Sequence, residues 1–416
     1  MKSLIRFITL TAWALATAGS PLRALELSPE LFADRGAAAV LASLPATPRE
    51  PDQIFAHATV ELLAAVEELG RDFYEHGLQF EAGRSLPVPF LRLPLPRHPD
   101  PKSASAADVR RALEAFHVRL AAIDARLAPI EGKIFKAVIP LGAAGLDFAG
   151  KGAVADRIAF GPFFAGIAGP GGAAAGAAEA EAALKFVVAF DQTDALWLRA
   201  YTHLLRSLAD IMLAHDGGEL FGSTGHLYFT RADTPFARLL AEKNVAPGGS
   251  GNQEGTIADL IAMLHRLDLA VADPARLARA RTGLLEMIRL SRATLTSAAA
   301  ETDDDREWLP GSTQNSVFGL RLSVEQATAW TGILGELEAL LEGKKLLPHW
   351  RFSRDGYGLN LKRLFEESRR TDIIGYAQGA AAVPWLEAGP TTSLDTWVQL
   401  TRLFGGNFLG YALWIN

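Results

Sequence analysis

Apolar residues recur at three- and four-residue intervals between Asp191 and Asp216, the longest uninterrupted helical pattern in the sequence. Side chains with this spacing lie on one face of an α-helix. The face consists of Trp197, Tyr201, Leu204, Leu208, Ile211 and His215, with Leu205 and Met212 beside it. A face this wide predicts that the helix is buried and that other elements pack around it.

The residues at each end of this segment indicate where the helix begins and ends. Asp191 and Thr193 can accept hydrogen bonds from free backbone N–H groups, and Asp194 suits the positive end of the helix dipole. Gly217 follows the pattern and readily adopts the left-handed conformation that ends a helix. Residues 185–190, with the sequence KFVVAF, predict a short buried strand that leads into the helix.

A second face of the same helix is polar and carries Arg199, His203, Arg206, Ser207 and Asp210. Buried polar groups need hydrogen-bond partners. One interpretation is a network within the helix, in which Asp210 pairs with Arg206 and His203 pairs with Ser207. The alternative is the floor of a polar pocket, in which His203 is a general base or a ligand contact. The candidate ligand-binding residues are Arg199, His203, Arg206, Asp210 and His215.

A polar stripe also follows the amphipathic helix predicted over residues 52–77. It consists of His57, Glu61, Ala65, Glu68, Asp72 and His76. Glu68, Asp72 and His76 are one turn apart and offer carboxylate and imidazole ligands, so they are the candidate metal site. The alternative is that the stripe is the solvated face of the helix.

A dense acidic turn covers residues 301–307, with the sequence ETDDDRE. Asp303, Asp305 and Glu307 alternate as the first ligands of a calcium loop do, but Trp308 stands where such a loop needs glycine, and Gln314 stands where it needs glutamate. The pattern favours a solvated loop at the end of a helix, with weak surface calcium binding as the alternative.

Further helical patterns cover residues 27–44, 107–127, 256–269, 273–299, 323–341 and 360–369. The patterns at 256–269 and 273–299 predict an antiparallel helical hairpin, with Asp273 as cap and Pro274 in the first turn. Strand-like runs are short and scattered. The predicted fold is mainly α with a minor β component, a multi-helix globular fold of two closely packed lobes.

Composition divides the chain into four predicted segments. Residues 1–24 are a signal peptide, and residues 25–104 contain N-terminal helices and a Pro-rich arm. Residues 105–250 form a central helical region with a Gly/Ala-rich loop at 161–183. Residues 251–416 form a helical, Trp-rich region. With 49% hydrophobic and 21% charged residues, the chain has the composition of a globular protein, which excludes a disordered chain.

The first residues predict export. Lys2 and Arg6 precede an apolar run and then a small-x-small site at residues 16–18, as in a secretory signal peptide. The run is shorter than the ~20 residues of a membrane span, which argues against an uncleaved anchor. The sequence has no cysteine, and this suits a bacterial periplasmic or secreted protein whose mature chain does not span the membrane. The net charge of −6, more negative after cleavage, argues against a nucleic-acid partner.

Two functions of different class follow. The first is a periplasmic binding or interaction scaffold with a small-molecule or protein partner, because the catalytic patterns are all single and incomplete. The second is a hydrolase or metal-assisted enzyme whose histidines and carboxylates come from separate segments. The enzyme hypothesis predicts that one pocket gathers at least three of a set of seven residues. These are His203, His215, His226, Asp72, His76, Glu114 and His117. The sequence assigns no cofactor.

Overall fold

The computed structural model describes residues 25–33, 35–79, 89–152, 157–160, 185–237, 253–317, 321–353 and 356–393. The predicted signal peptide, the Gly/Ala-rich loop and part of the Pro-rich arm lie outside the described residues. Helices make up 57% of the structure, and eleven are described, with a few short strands. The predicted fold class, mainly α with a minor β component, is therefore confirmed.

The described helices are α1 (Pro29–Ala33), α2 (Ala37–Ser43), α3 (Pro51–Glu75), α4 (Ala106–Leu127), α5 (Gln192–Ala214), α6 (Gly218–Thr224), α7 (Gln253–Arg266), α8 (Pro274–Ala300), α9 (Val324–Leu341), α10 (Leu361–Glu367) and α11 (Ile373–Gln378). The described strands are β1 (Leu25–Glu26), β2 (Ala137–Ile139), β3 (Gly145–Leu146), β4 (Ile158–Ala159), β5 (Val188–Phe190), β6 (Asp268–Ala270), β7 (Leu347–Pro348), β8 (Tyr357–Leu359), β9 (Arg370–Asp372) and β10 (Leu386–Ala388).

The long helices pack in the order α3, α4, α5 and α8, so that α5 lies between α4 and α8. The strand before α5 is β5, and Asp191 begins the helix with a reciprocal capping box to Asp194. Ser105 caps α4 and Ser323 caps α9 in the same way. No described helix is both long enough and apolar enough to cross a membrane.

The described strands form four small sheets of two or three strands each. β2 lies between β1, which is parallel to it, and β5, which is antiparallel. β8 pairs with both β7 and β10, β3 pairs with β4, and β6 pairs with β9. The predicted helical hairpin at 256–299 is not formed: β6 intervenes and pairs with β9, α7 packs on α6, and α8 packs on α5.

A continuous apolar core extends from Leu27 to Leu341 and includes residues from all three predicted segments after the signal peptide. Trp308 is at its centre and is 1% exposed. The Trp308 ring lies 5.0 Å from that of Trp197 and 6.1 Å from that of Phe190, measured between ring centroids. Trp197 on the apolar face of α5 is therefore buried by elements far from it in sequence, whereas Tyr201, Leu204, Leu208 and Ile211 of the same face are half-buried.

Candidate functional site

The polar face of α5 turns toward α4 and α8. Nε of Arg199 donates to Oδ1 of Asp124 at 2.9 Å, and the guanidinium also binds Glu131. Nε2 of His203 lies 3.2 Å from Oδ2 of Asp124. Burial raises the pKa of Asp124, but hydrogen bonds from His203 and Arg199 outweigh it and lower the pKa to about 2. Asp124 is therefore an ionised partner for both residues.

Asp210 is held by side chains from two other helices. Its Oδ2 lies 3.0 Å from Nε2 of His117 on α4, and its Oδ1 accepts a hydrogen bond from Nη1 of Arg276 at 3.1 Å. Burial raises the pKa of Asp210, but the hydrogen bond from His117 and the nearby arginine charges outweigh it, and the net shift is downward. The predicted pair with Arg206 is not formed, and the two carboxylate oxygens bond to His117 of α4 and Arg276 of α8 instead.

The predicted pair of His203 and Ser207 exists in another form. Oγ of Ser207 donates to the backbone carbonyl of His203 at 2.8 Å, not to its imidazole. A serine inside a helix commonly bonds the carbonyl four residues earlier. The imidazole is thereby left to Asp124 on the neighbouring helix.

A polar groove of about 520 Å³ lies between α5 and α8. Its lining from α5 includes His203, Arg206, Ser207 and Asp210, and its lining from α8 includes Arg279, Thr282, Gly283 and Glu286. Three of the five candidate ligand-binding residues, His203, Arg206 and Asp210, therefore share one groove. Arg199 does not line it.

An apolar cavity of about 430 Å³ lies on another side of α5. Aliphatic and aromatic side chains from four helices and the loops beside them line it: Phe73, Leu78, Leu91, Val109, Leu113, Met212, Leu213, Leu220, Phe221 and Phe229. The polar side chains among its described lining are Arg110, His215, Asp216, Thr224 and Tyr228. The cavity is thus built mainly from groups that water solvates poorly.

His215, the fifth candidate ligand-binding residue, lies in the wall of this apolar cavity. Its Nδ1 is 2.6 Å from the carbonyl oxygen of Ile211, and its Nε2 is 2.7 Å from Oγ1 of Thr371. Burial lowers the pKa of His215, so the ring is neutral near pH 7. Both ring nitrogens have protein partners, so His215 forms an uncharged part of the cavity wall.

Two of the three candidate metal residues, Glu68 on α3 and His76 directly after it, have side-chain partners in the protein. Glu68 makes an ion pair with Arg119 at 3.1 Å. Nδ1 of His76 bonds the backbone carbonyl of Asp72, and its Nε2 lies 3.7 Å from Asp108. The structure therefore directs Glu68 and His76 to separate partners on the α4 side. Metal binding by Glu68, Asp72 and His76 stays a prediction.

A group of carboxylates that could hold a metal ion lies instead at the start of α5. Single carboxylate oxygens of Asp191, Glu301 and Glu307 lie within 4.8 Å of one another. Oxygen ligands of this kind suit hard cations such as Ca²⁺. Thr193 and Gln314 bond to Glu301 beside them.

The acidic turn is only partly the solvated loop that its sequence predicts. Asp303 is exposed and Asp305 is half-buried, and they bind Nζ of Lys136 at 2.9 Å and 3.1 Å, whereas Glu307 is 3% exposed. Burial, and then the charges of Glu301 and Asp191, raise the pKa of Glu307 to about 8. Its side chain therefore turns inward, with a protonated form that is stable near neutral pH.

The pKa values of three other carboxyl groups near Glu307 are raised as well. Burial raises the pKa of Glu301 to about 7, and burial also raises the pKa of Asp191 and of Asp194. The nearby cation Lys136 is already paired with Asp303 and Asp305, so it does not offset this charge. The spacing of carboxylates within the acidic turn indicated a cation site. It could not identify Asp191, which is distant in sequence and lies near the turn only in the folded protein.

The seven residues of the enzyme hypothesis are divided among several places. Of this set, the apolar cavity contains His215 and the polar groove contains His203. His117 binds Asp210, Glu114 binds Arg110, and His226 lies 3.2 Å from Asp259. No described cavity gathers three of the seven residues.

Comparisons of the chain with protein-family models, with curated proteins and with solved structures found no match.

Proposed function

We propose that the protein is a binding protein that holds an apolar small molecule in the apolar cavity beside α5. The observation that carries the proposal is a cavity of about 430 Å³ lined mainly by aliphatic and aromatic side chains from α3, α4, α5 and α6. Sites for small molecules typically enclose about 300–1,000 Å³ and have such a lining, with few polar groups. The cavity therefore has the size and chemistry for an uncharged, largely hydrocarbon ligand.

The polar residues of the wall are compatible with an uncharged ligand. His215 is neutral and its two nitrogens are engaged by Ile211 and Thr371. Arg110 lies 3.2 Å from Glu114, which offsets its charge. The free energy of binding would then come mainly from removing apolar surface from water, at roughly 0.8 kcal/mol for each buried methylene.

A series of unbranched alkanols tests this proposal. Each alcohol is titrated against the complex of the protein with N-phenyl-1-naphthylamine, an uncharged dye whose fluorescence rises in apolar surroundings. We expect saturable dye binding, and displacement that strengthens about fourfold with each added methylene until the cavity is full. Absence of saturable dye binding by the folded protein, or a displacement constant independent of chain length, would contradict the proposal.

A pair of matched variants identifies the site. Leu220→Gln puts an amide into the wall of the cavity, whereas Leu204→Gln makes the same change at a half-buried position on α5 outside it. An unpaired buried amide costs about 1–3 kcal/mol, so we expect Leu220→Gln to weaken dye binding about tenfold. Leu204→Gln should bind dye as the unmodified protein does. Equal weakening by both variants would place the dye elsewhere.

Export is part of the same proposal. The charged start, short apolar run and small residues of positions 1–24 support a cleaved signal peptide, and the lack of cysteine suits a chain that folds in the periplasm without disulfides. Cell fractionation with N-terminal sequencing tests it. We expect a periplasmic or secreted chain that begins between Gly19 and Leu25, and an intact N-terminus in the cytoplasm would contradict it.

A further inference from the structure

Arg206 lines the polar groove between α5 and α8, and among the described residues no carboxylate lies within ion-pair distance of it. Its Nε is buried and has no hydrogen-bond partner. A guanidinium has five N–H donors and no acceptor, so only a hydrogen-bond acceptor or an anion can satisfy it. A partly buried cation without a partner destabilises a fold, so the groove is incomplete as a purely structural network.

The carboxylate best placed to pair with Arg206 is engaged elsewhere. Asp210 lies one turn further along α5, where an ion pair with Arg206 would be ordinary. Its two oxygens are instead held by His117 and Arg276, at 3.0 Å and 3.1 Å. Asp210 therefore forms no ion pair with Arg206, and its partners come from α4 and α8 instead.

The second carboxylate in the groove is engaged as well. Glu286 receives two hydrogen bonds from Arg289, from Nε at 2.9 Å and from Nη2 at 2.7 Å. Such a bidentate pair is among the stronger ion pairs in proteins. Glu286 therefore adds little negative charge that could offset Arg206.

A second arginine faces the same groove with few fixed contacts. Nη2 of Arg279 lies 3.7 Å from Asp210 and 3.9 Å from Asp273, distances too long for hydrogen bonds. Its side chain is 51% exposed, so its donors are accessible from the groove. The hydroxyls of Ser207 and Thr282 lie in the same lining.

We propose that this groove is a second binding site, which takes the carboxylate or phosphate group of a small organic anion between Arg206 and Arg279. A guanidinium binds a carboxylate or a phosphate through two parallel N–H bonds, which is the contact that both arginines lack. The volume of about 520 Å³ exceeds what an inorganic ion needs, so the anion carries an organic body. This second site is tested independently of the apolar cavity, because the dye and the alkanols that probe the cavity are uncharged.

Calorimetric titration of the full chain at low ionic strength tests the proposal, with succinate and glycerol 2-phosphate as the two probe anions and glycerol as the uncharged control. We expect saturable one-to-one binding of at least one anion, weaker binding as salt is added, and no heat from glycerol beyond dilution. The anion that binds more tightly identifies the head group. If neither anion shows saturable binding up to millimolar concentrations, the proposal is overturned.

Two variants of equal charge change locate the binding. Arg206→Gln removes the charge in the groove, and Arg292→Gln removes one from α8 outside it, where Arg292 binds Glu338. We expect the dissociation constant of the anion to rise about tenfold in Arg206→Gln, because a charged hydrogen-bond partner is lost. Arg292→Gln should change it less than twofold. Equal weakening in both variants would show general attraction to positive charge and would overturn the assignment.

The stability of the ligand-free protein distinguishes a binding role from a structural one. Arg206→Met keeps the aliphatic stem and removes the unpaired charge, so we expect an unchanged or higher melting temperature together with loss of anion binding. A clearly lower melting temperature would instead assign Arg206 to the fold, and would contradict its role as a binding residue.

Discussion

Nε2 of His117 lies 3.0 Å from Oδ2 of Asp210 and joins α4 to α5 across 93 positions of sequence. On the other side of the same carboxylate, Arg276 of α8 donates to Oδ1. Asp210 is 4% exposed, so it is a buried connection among three helices. Within the part of the chain that the structure describes, Arg206 on the adjacent turn of α5 has no carboxylate partner.

Replacing Asp210 by asparagine should destabilise the protein. The amide keeps the shape of the side chain but removes the nearest charge partner of Arg276, whose other carboxylates, Asp273 and Glu114, lie at 3.4 Å and 3.6 Å, so we expect a loss of about 1–3 kcal/mol. The measurement is the free energy of unfolding in urea at pH 7. Asp216→Asn makes the same change at an exposed position and should be nearly neutral. An equally small loss in both variants would show that Asp210 does not join the helices energetically.

Close packing of α5 against α8 gives a second prediction. A Cβ atom placed on Gly283 would lie 2.4 Å from Oγ of Ser207 but 3.7 Å from its Cβ. Gly283→Ala gains about 1 kcal/mol of helix propensity but creates a clash that costs about 1–3 kcal/mol. In the Ser207→Ala background the clash is absent and the gain should remain.

A double-mutant cycle measures this coupling. Urea unfolding of the two single variants and the double variant should give a double variant about 1–3 kcal/mol more stable than the sum of the single changes predicts. Additive changes would mean that the two helices are further apart at this point than the structure indicates.

Local rules predicted the starts of α5 and α8 correctly, whereas the predicted left-handed Gly217 is wrong: α5 ends at Ala214, and Gly217 has a φ of −94°. Asp191 caps α5 and Asp273 caps α8, as predicted, and each accepts a hydrogen bond from the backbone N–H group two residues further on. The position of Pro274 in the first turn of α8 is also confirmed. Such signals are readable from sequence because the interacting groups are neighbours in the chain.

The polar partners could not be predicted in the same way. Asp210 has an ordinary helical partner in Arg206 by spacing, yet the fold supplies His117 and Arg276 and the local pair is not formed. The inward turn of Glu307 likewise depends on Asp191, which is distant in sequence. Spacing identifies which polar groups share a helix face, but the packing of other helices decides which of them find partners.

The burial of Trp308 could not be predicted from local sequence either, and it leads to a third prediction. The position of Trp308 directly after the acidic turn argued against a standard calcium loop, and the structure places the ring in the core against Trp197 and Phe190. Trp308→Ala should lower the free energy of unfolding by about 3–5 kcal/mol, because it leaves a large cavity. Trp350→Ala, at a side chain that is 65% exposed, should cost far less. Similar losses in urea unfolding for both variants would contradict the central place of Trp308.

The carboxyl groups beside Trp308 predict a dependence of stability on pH. The pKa of Glu307 is raised from an ordinary 4.5 to about 8, so the folded protein holds a proton that the unfolded chain has released between these values. Stability therefore falls as pH rises wherever the folded state binds more protons. Glu301, with its pKa raised to about 7, acts in the same direction. The loss attributable to Glu307 should extend from about pH 4.5 to about pH 8.

Glu307→Gln should flatten this pH dependence, because its amide stays neutral and its oxygen can still accept the hydrogen bond from the backbone of Asp305. Since one pKa unit corresponds to about 1.4 kcal/mol, a pKa raised from 4.5 to about 8 predicts that the free energy of unfolding of the variant exceeds that of the unmodified protein by roughly 4 kcal/mol at pH 8, and by under about 1 kcal/mol at pH 5. Urea unfolding across this range, with a chelator present so that no divalent cation competes with protons, measures the difference. Glu219→Gln removes the same charge from a side chain that is 81% exposed and should leave the pH profile unchanged. Parallel pH profiles for the unmodified protein and Glu307→Gln would mean that the buried carboxyl is ionised at neutral pH, so that a cation or another partner must compensate its charge.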